Sequence, residues 1–397
     1  MEHRKRRAIA LLVDSVGSDY AALLHHAVKR ASNARNVDVM TFTGLRLNPD
    51  NIFEATQNKI FELVSSARVD GVIVVSSVLS HFTGKYGVEA LLRRVSPLPV
   101  CSVGLEIDGV PSIIVDNRGG MRRGILHLID EHHRRRIVFI AAQPNSIESN
   151  ERLAGYRDAL ESRGLPFDPA LIEHGDFTVP GGIDAIRRIL EKGVKFDAVA
   201  AANDYMALAS LDVLRSKGRR IPEDILVLGF DDVSNAICSK PALTTLRQPM
   251  WWLANEAVRA VLDQFEKGVG CLVRVGEIEL VRRDSCGCGI SIGEEQHYSS
   301  PVVGDFTQFL EAERETLEKI MMESVLVPNQ ALGNWANALF RAFLEEIEGK
   351  VGRFQEGLEW TLEKAEDAGA NLEEFQRMIT GLRAALSSSR LNDSGRT

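Results

Sequence analysis

The sequence predicts an α/β protein with two parallel-sheet lobes, followed by a C-terminal α-helical segment. Three observations carry this. From residue 8 to about 230, short apolar runs alternate with longer segments of helical period, the pattern of βα units on a parallel sheet. The runs outnumber the strands one modest sheet needs, so two lobes divided near the polar run His132–Arg136 are favoured. From Asp305 to about Leu386 the strand pattern is gone and apolar residues recur only at helical spacing.

The strands are read from nearly continuous apolar runs, as expected where both faces are covered: Ala8–Val13, Val37–Phe42, Gly71–Val75, Val100–Val103, Ser112–Val115, Ile137–Ala141, Ala198–Ala201 and Ile225–Gly229. Between them, Tyr20–Ser32, Ile52–Ala67, Gly120–Asp130, Arg152–Arg163, Gly182–Glu191 and Tyr205–Ser216 carry apolar residues three and four apart and are read as helices. After Pro249 come a helix, Trp251–Phe265, and a strand, Leu272–Val281. Residues 287–304, with Gly287, Gly289 and Gly293, read as a linker. Stripes beginning at Phe306, Leu332, Leu358 and Phe375 predict three or four helices over 305–386, and 387–397 reads as a disordered tail.

Composition narrows the function classes. The chain has 397 residues, of which 45% are hydrophobic and 26% charged, which excludes a fibrous or wholly disordered protein. Its formal charge of −8 gives no global attraction to nucleic acid or anionic lipid. No apolar stretch approaches the roughly 18–20 residues needed to cross a bilayer, so no membrane contact is expected. Arg4, Lys5, Arg6 and Arg7 before Ala8–Val13 mimic the start of a signal peptide, but the apolar part is short and ends at Asp14, so a buried first strand is favoured. Five cysteines, an odd number in a large chain, do not resemble a disulfide framework, and a cytoplasmic location is expected.

The usual chemical signatures are missing. After the first strand comes Asp14-Ser15-Val16-Gly17-Ser18-Asp19-Tyr20, with one glycine where a dinucleotide fold has three, and no phosphate-loop, zinc-protease or nucleophile-elbow motif occurs. An enzyme is therefore not expected. Ligands of α/β sheets bind at the carboxyl ends of strands, which singles out Asp14, Ser15, Tyr20, Ser76, Ser77 and the Ala202-Asn203-Asp204 run, although each taken alone also suits a cap or turn. Cys286-Gly287-Cys288 invites a metal, but no second Cys or His pair stands near it in the chain, so a reduced pair in a turn is the expectation, with no metal and no cofactor. His132–Arg136 reads as a solvated turn rather than a phosphate site, and one of Trp251 and Trp252 as core.

From about Asp116 onward the residues stop being generic. Asp116-Asn117, Arg152-Leu-Ala-Gly-Tyr156, Ala202-Asn203-Asp204, Ile221-Pro222-Glu-Asp224, Gly229-Phe230-Asp231-Asp232, Thr244-Thr245-Leu-Arg-Gln248-Pro249 and Val281-Arg-Arg-Asp-Ser285-Cys286 follow one another as in the LacI/GalR regulators. Residues 8–286 thus resemble the effector-binding core of that family, a two-lobed periplasmic-binding-protein-like fold of type I. The resemblance implies an N-lobe of about 8–131 and 249–273, a C-lobe of about 132–248 and 274–286, and hinge crossings near Asn117, Gln248 and Gly276.

The same resemblance implies a small polar ligand, a sugar, nucleobase or organic acid, held between the lobes. Arg152, Asn203 and Asp231 are carried over by motif, Phe177 and Gln248 by neighbourhood, and Asp14, Tyr20 and Ser76 by position after the first and third strands. A homodimer is implied as well. Repressors of this family start with a helix-turn-helix, whereas here the first strand begins at Ala8, so direct DNA binding by this chain is not expected. The leading expectation is a cytoplasmic sensor that couples lobe closure to the C-terminal helices and through them to an output domain or partner. The alternative is a LacI/GalR-like transcriptional regulator acting on DNA through a domain or partner outside this chain.

Overall fold

Most of the continuous apolar runs form strands where the sequence places them. The computed structural model describes residues 6–17, 19–47, 52–81, 83–268, 273–289, 330–347 and 353–367. The first lobe is a six-stranded sheet of β1 (Arg7–Val13), β2 (Val37–Thr43), β3 (Gly71–Val75), β4 (Val100–Val103), β5 (Ser112–Val115) and β11 (Val273–Gly276), in the order β11-β5-β4-β3-β1-β2. Every pairing in it is parallel. All of β3 is buried, as a strand covered on both faces must be. The covering helices are α1 (Asp19–Asn33), α3 (Ser76–Leu79), α4 (Gly84–Val95) and, from late in the chain, α10 (Met250–Lys267), which packs on α1 and β4, whereas α2 (Ile52–Gln57) buries none of its residues.

The second lobe repeats the plan. Its elements are α5 (Asn117–Asp130), β6 (Ile137–Ala141), α6 (Ile147–Ser162), β7 (Ile172–His174), α7 (Val179–Glu191), β8 (Ala198–Ala201), α8 (Asp204–Ser216), β9 (Leu226–Leu228) and α9 (Ser234–Cys238). Its sheet has the order β7-β6-β8-β9, again all parallel. The chain passes between the lobes after β5, after β10 (Thr245–Arg247) and between β11 and β12 (Glu279–Val281), and β10 and β12 pair antiparallel as a two-stranded ribbon.

Several expectations need correction. Helix α5 packs against α6, β10 and β12, so the first crossing lies at Asp116, beside the hinge expected near Asn117, and the lobe boundary expected at about residue 131 moves there. Likewise β11 stays in the first sheet through Gly276, beyond the expected boundary at 273. The single strand expected over Leu272–Val281 is two, because β11 pairs parallel with β5 and β12 antiparallel with β10. The helix expected over Ile52–Ala67 gives way to a 3-10 turn at Asn58–Leu63. There the Asn58 side chain accepts from Leu45 N and donates to Arg46 O, fastening the segment to the loop after β2. Strand β7 was not anticipated, being three residues long and only partly buried at the sheet edge.

The chain divides into two units, residues 1–287 and 288–397. In the second, α11 (Gln330–Ile347) and α12 (Arg353–Asp367) pack on each other, with Trp335, Leu339 and Phe340 buried. A side chain at Gly357 would meet the Ala342 Cβ at 2.4 Å, so the two helices approach closely there. The stripes beginning at Phe306 and Phe375, most of the expected linker and the expected tail lie outside the described residues.

Candidate ligand-binding site

The carboxyl ends of β1, β3, β6, β8 and β9 face one another across the interlobe cleft, and a cavity of about 480 Å³ lies there. Seven of the eight expected site residues line it: Asp14, Tyr20, Arg152, Phe177, Asn203, Asp231 and Gln248. The eighth, Ser76, does not. Its hydroxyl is fully buried beneath the cleft and lies 2.7 Å from the Ser102 hydroxyl, which donates to it, so it fastens β3 to β4.

Arg152 is the centre of the site. It projects from the second turn of α6, is 2% exposed, and its guanidinium lies 3.6 Å from the centroid of Phe230. Its Nε donates to Asn117 Oδ1 at 2.9 Å and its Nη1 to the Ala202 carbonyl at 2.6 Å. Two carboxyls balance its charge, Glu148 at 3.9 Å and Asp231 at 3.8 Å. Glu148 stands four residues before Arg152 on the same helix, so the two share a face.

Burial holds both carboxyls toward the neutral form. It pushes Glu148 up to about 7 and Asp231 up to about 6, with Arg152 opposing in each case. Asp231 adopts a positive φ of 113°, and its Oδ1 accepts from Gln248 Nε2 at 2.7 Å. That bond ties the wall of the second lobe to the crossing segment after β10.

Asn203 does two jobs with one amide. Its Oδ1 accepts from Met206 N at 3.0 Å, capping α8, while its Nδ2 donates to the Phe177 carbonyl at 3.0 Å. Phe177 is thereby held at a φ of 67°, unusual for an aromatic residue, and its ring stacks on His81 of the first lobe with centroids 5.0 Å apart. Burial lowers the His81 pKa to about 3, with Arg46 and Arg152 adding to the effect, so the ring is neutral. Its Nδ1 is buried without a hydrogen-bond partner, as is Asp14 Oδ1. Burial also raises Asp14 and Tyr20, the latter reinforced by the Glu148 charge.

Several lining residues escaped the sequence reading, among them the titratable Arg46, His81 and Glu148. Glu148 was discoverable from its four-residue spacing to Arg152. His81 follows a strand end as Ser76 does, but its direction depends on α3, which has no sequence signature.

A two-lobed α/β domain with a polar interlobe cavity is a periplasmic-binding-protein-like ligand-binding domain, and residues 125–286 match the family described as "Periplasmic binding protein-like domain". The first unit of the chain carries a LacI/GalR-type effector-binding domain. Over 162 residues it is 40% identical to the HTH-type transcriptional regulator CelR of Thermobifida fusca, covering 41% of this chain and 47% of that protein. The HTH-type transcriptional repressor CytR of Escherichia coli K12 is 30% identical over 234 residues, 58% of this chain and 66% of the repressor. A solved "transcriptional regulator CelR-cellobiose complex" superposes with a TM-score of 0.62 at 30% identity, covering 71% of this chain and 85% of that one. The chain thus spans about half to two thirds of the length of these curated relatives. They are regulators and not enzymes, in keeping with the missing catalytic motifs. No helix among the described residues is long and apolar enough to cross a membrane.

Proposed function

We propose that this chain is the effector-binding part of a cytoplasmic transcription regulator, and that its effector is a neutral polyhydroxylated molecule of the saccharide class. The carrying observation is the charge state of the cavity. The Arg152 guanidinium already serves Asn117, Ala202, Glu148 and Asp231, so a carboxylate ligand at Arg152 would have to face two carboxyls. A hydroxyl both donates and accepts, and so suits the partnerless Asp14 Oδ1 and His81 Nδ1 as well as the oxygens of Glu148 and Asp231. Phe177 supplies an apolar face for a sugar ring. The relatives' names favour DNA as the site of action over a signalling relay through the C-terminal helices, with the DNA contact made by a domain or partner beyond the described residues. A homodimer is part of this proposal.

The ligand preferring the closed lobes shifts their equilibrium by its difference in affinity for the two forms. The test is a thermal-shift and calorimetric panel of mono- and disaccharides, nucleosides and organic acids on the whole chain. A saccharide at 100 times its Kd adds about 2.7 kcal/mol of stability, and Asp231→Asn weakens that binding. Stabilisation by organic acids alone would overturn the saccharide reading.

A further inference from the structure

His127 lies in the last turn of α5, and His132 comes two residues past the end of that helix. In sequence they stand more than 150 residues from Cys286 and Cys288, and the fold brings all four together. Cys286 closes the short turn Asp284–Cys286 that follows β12. Gly287 then takes a φ of 88°, a left-handed conformation that suits glycine and lets the chain double back, so that Cys288 reaches the same point through the covalent chain. One donor atom from each of the four residues lies within 4.8 Å of all the others.

We propose that His127, His132, Cys286 and Cys288 are the ligands of a structural Zn2+ site. Two imidazoles and two thiolates are the donor set of closed tetrahedral zinc centres. With Zn–S of about 2.3 Å and Zn–N of about 2.0 Å, neighbouring ligands stand about 3.3–3.8 Å apart, so only small side-chain rotations separate this arrangement from a bound one. His127 Nε2 is already 3.4 Å from Cys286 Sγ. Its Nδ1 lies 3.1 Å from Glu131 Oε1, the carboxylate partner that fixes the tautomer and leaves Nε2 for the metal. The His127 and His132 rings meet edge to face with centroids 4.8 Å apart, and both cysteines are thiols rather than halves of a disulfide.

The site would clasp the end of α5 to the last turn of the binding domain, where the chain leaves its second lobe. It is separate from the cleft and shares no residue with the cavity lining.

The test uses the whole chain, stripped of metal under reducing conditions and reloaded with Zn2+, with Co2+ loaded in parallel as a spectroscopic probe. One equivalent of zinc per chain is expected, held against a competing chelator, and Co2+ should give thiolate charge-transfer and intense tetrahedral d–d bands. Cys288→Ser and His132→Ala remove ligands that are only partly buried, so the fold survives them. Each should weaken zinc binding by more than the roughly 10–100-fold typical of an outer-shell loss, and Glu131→Gln by about that amount. Folded wild-type protein that binds less than one equivalent, or variants that hold zinc as tightly as wild type, would overturn the proposal.

Discussion

The Arg152 guanidinium carbon lies over the Phe230 ring, 3.6 Å from its centroid, beneath the interlobe cleft. This aromatic support holds a buried cation in place from one side while Asn117 and the Ala202 carbonyl hold its edge. The cation therefore organises the site by keeping two carboxyls close together.

Replacing Arg152 by methionine keeps much of the volume but leaves Glu148 and Asp231 without their counter-charge. Breaking a buried pair this way costs about 3–5 kcal/mol. Chemical denaturation should show a loss of that order, and effector binding should disappear even where the variant remains folded. An undiminished midpoint would mean that the carboxyls are neutral throughout and need no partner.

Asn203→Asp separates capping from tethering. An aspartate still accepts from Met206 N but has no proton to offer the Phe177 carbonyl. Stability should stay within about 1 kcal/mol of wild type, while ligand affinity falls because Phe177 is released from its strained φ. Asn203→Ala should lose both. Equal affinities for wild type and the aspartate variant, measured by calorimetry, would remove Phe177 from the recognition surface.

Stability should depend on pH in two opposite senses. Glu148 in the folded chain sits at about 7 against an ordinary 4.5, so between those values the folded state keeps a proton that the unfolded state has released. Its contribution therefore diminishes as pH rises through that window, by an amount on the order of 3 kcal/mol. His81 behaves oppositely: at about 3 against 6.5, it stays neutral when folded while the unfolded ring protonates, so stability falls as pH drops from 6.5. Denaturation midpoints of Glu148→Gln measured from pH 4 to 8 should show a shallower first slope, with Asp231 keeping its share of it, and an unchanged second.

Gly155→Ala probes the contact between α5 and α6. A Cβ there would sit 2.2 Å from the Arg118 carbonyl oxygen, a backbone atom that cannot rotate away. The helices must separate, at about 1–3 kcal/mol. A melting temperature equal to that of wild type would show that this helix pair adjusts without strain.

Much of the fold was legible because a parallel strand covered on both faces must be continuously apolar. The runs Gly71–Val75, Val100–Val103, Ser112–Val115, Ile137–Ala141 and Ala198–Ala201 coincide with β3, β4, β5, β6 and β8. The signal fails where burial is one-sided or absent, as at β7 with its Glu173 and His174, or where pairing direction decides, as between β11 and β12. In the site, motif order led to Arg152, Asn203 and Asp231, all on the second lobe. The first lobe was less readable, since Ser76 and His81 both follow β3 and only the turn of α3 decides which faces the cleft. Nor could the chain reveal that His127 and His132 would meet Cys286, because that encounter is made by tertiary packing alone.

The ribbon of β10 and β12 has a mechanical consequence. Asp231, on the cavity wall, is joined by a backbone bridge to Arg247 of β10, and the Arg247 side chain reaches Asp232 on one side and Glu279 of β12 on the other. Asp232 is gripped in turn by Arg283, just past β12. On the proposed function, the carboxyl that would meet the effector and the ribbon joining the lobes are linked through these contacts into one part, so that a pull on one would register as a twist in the other.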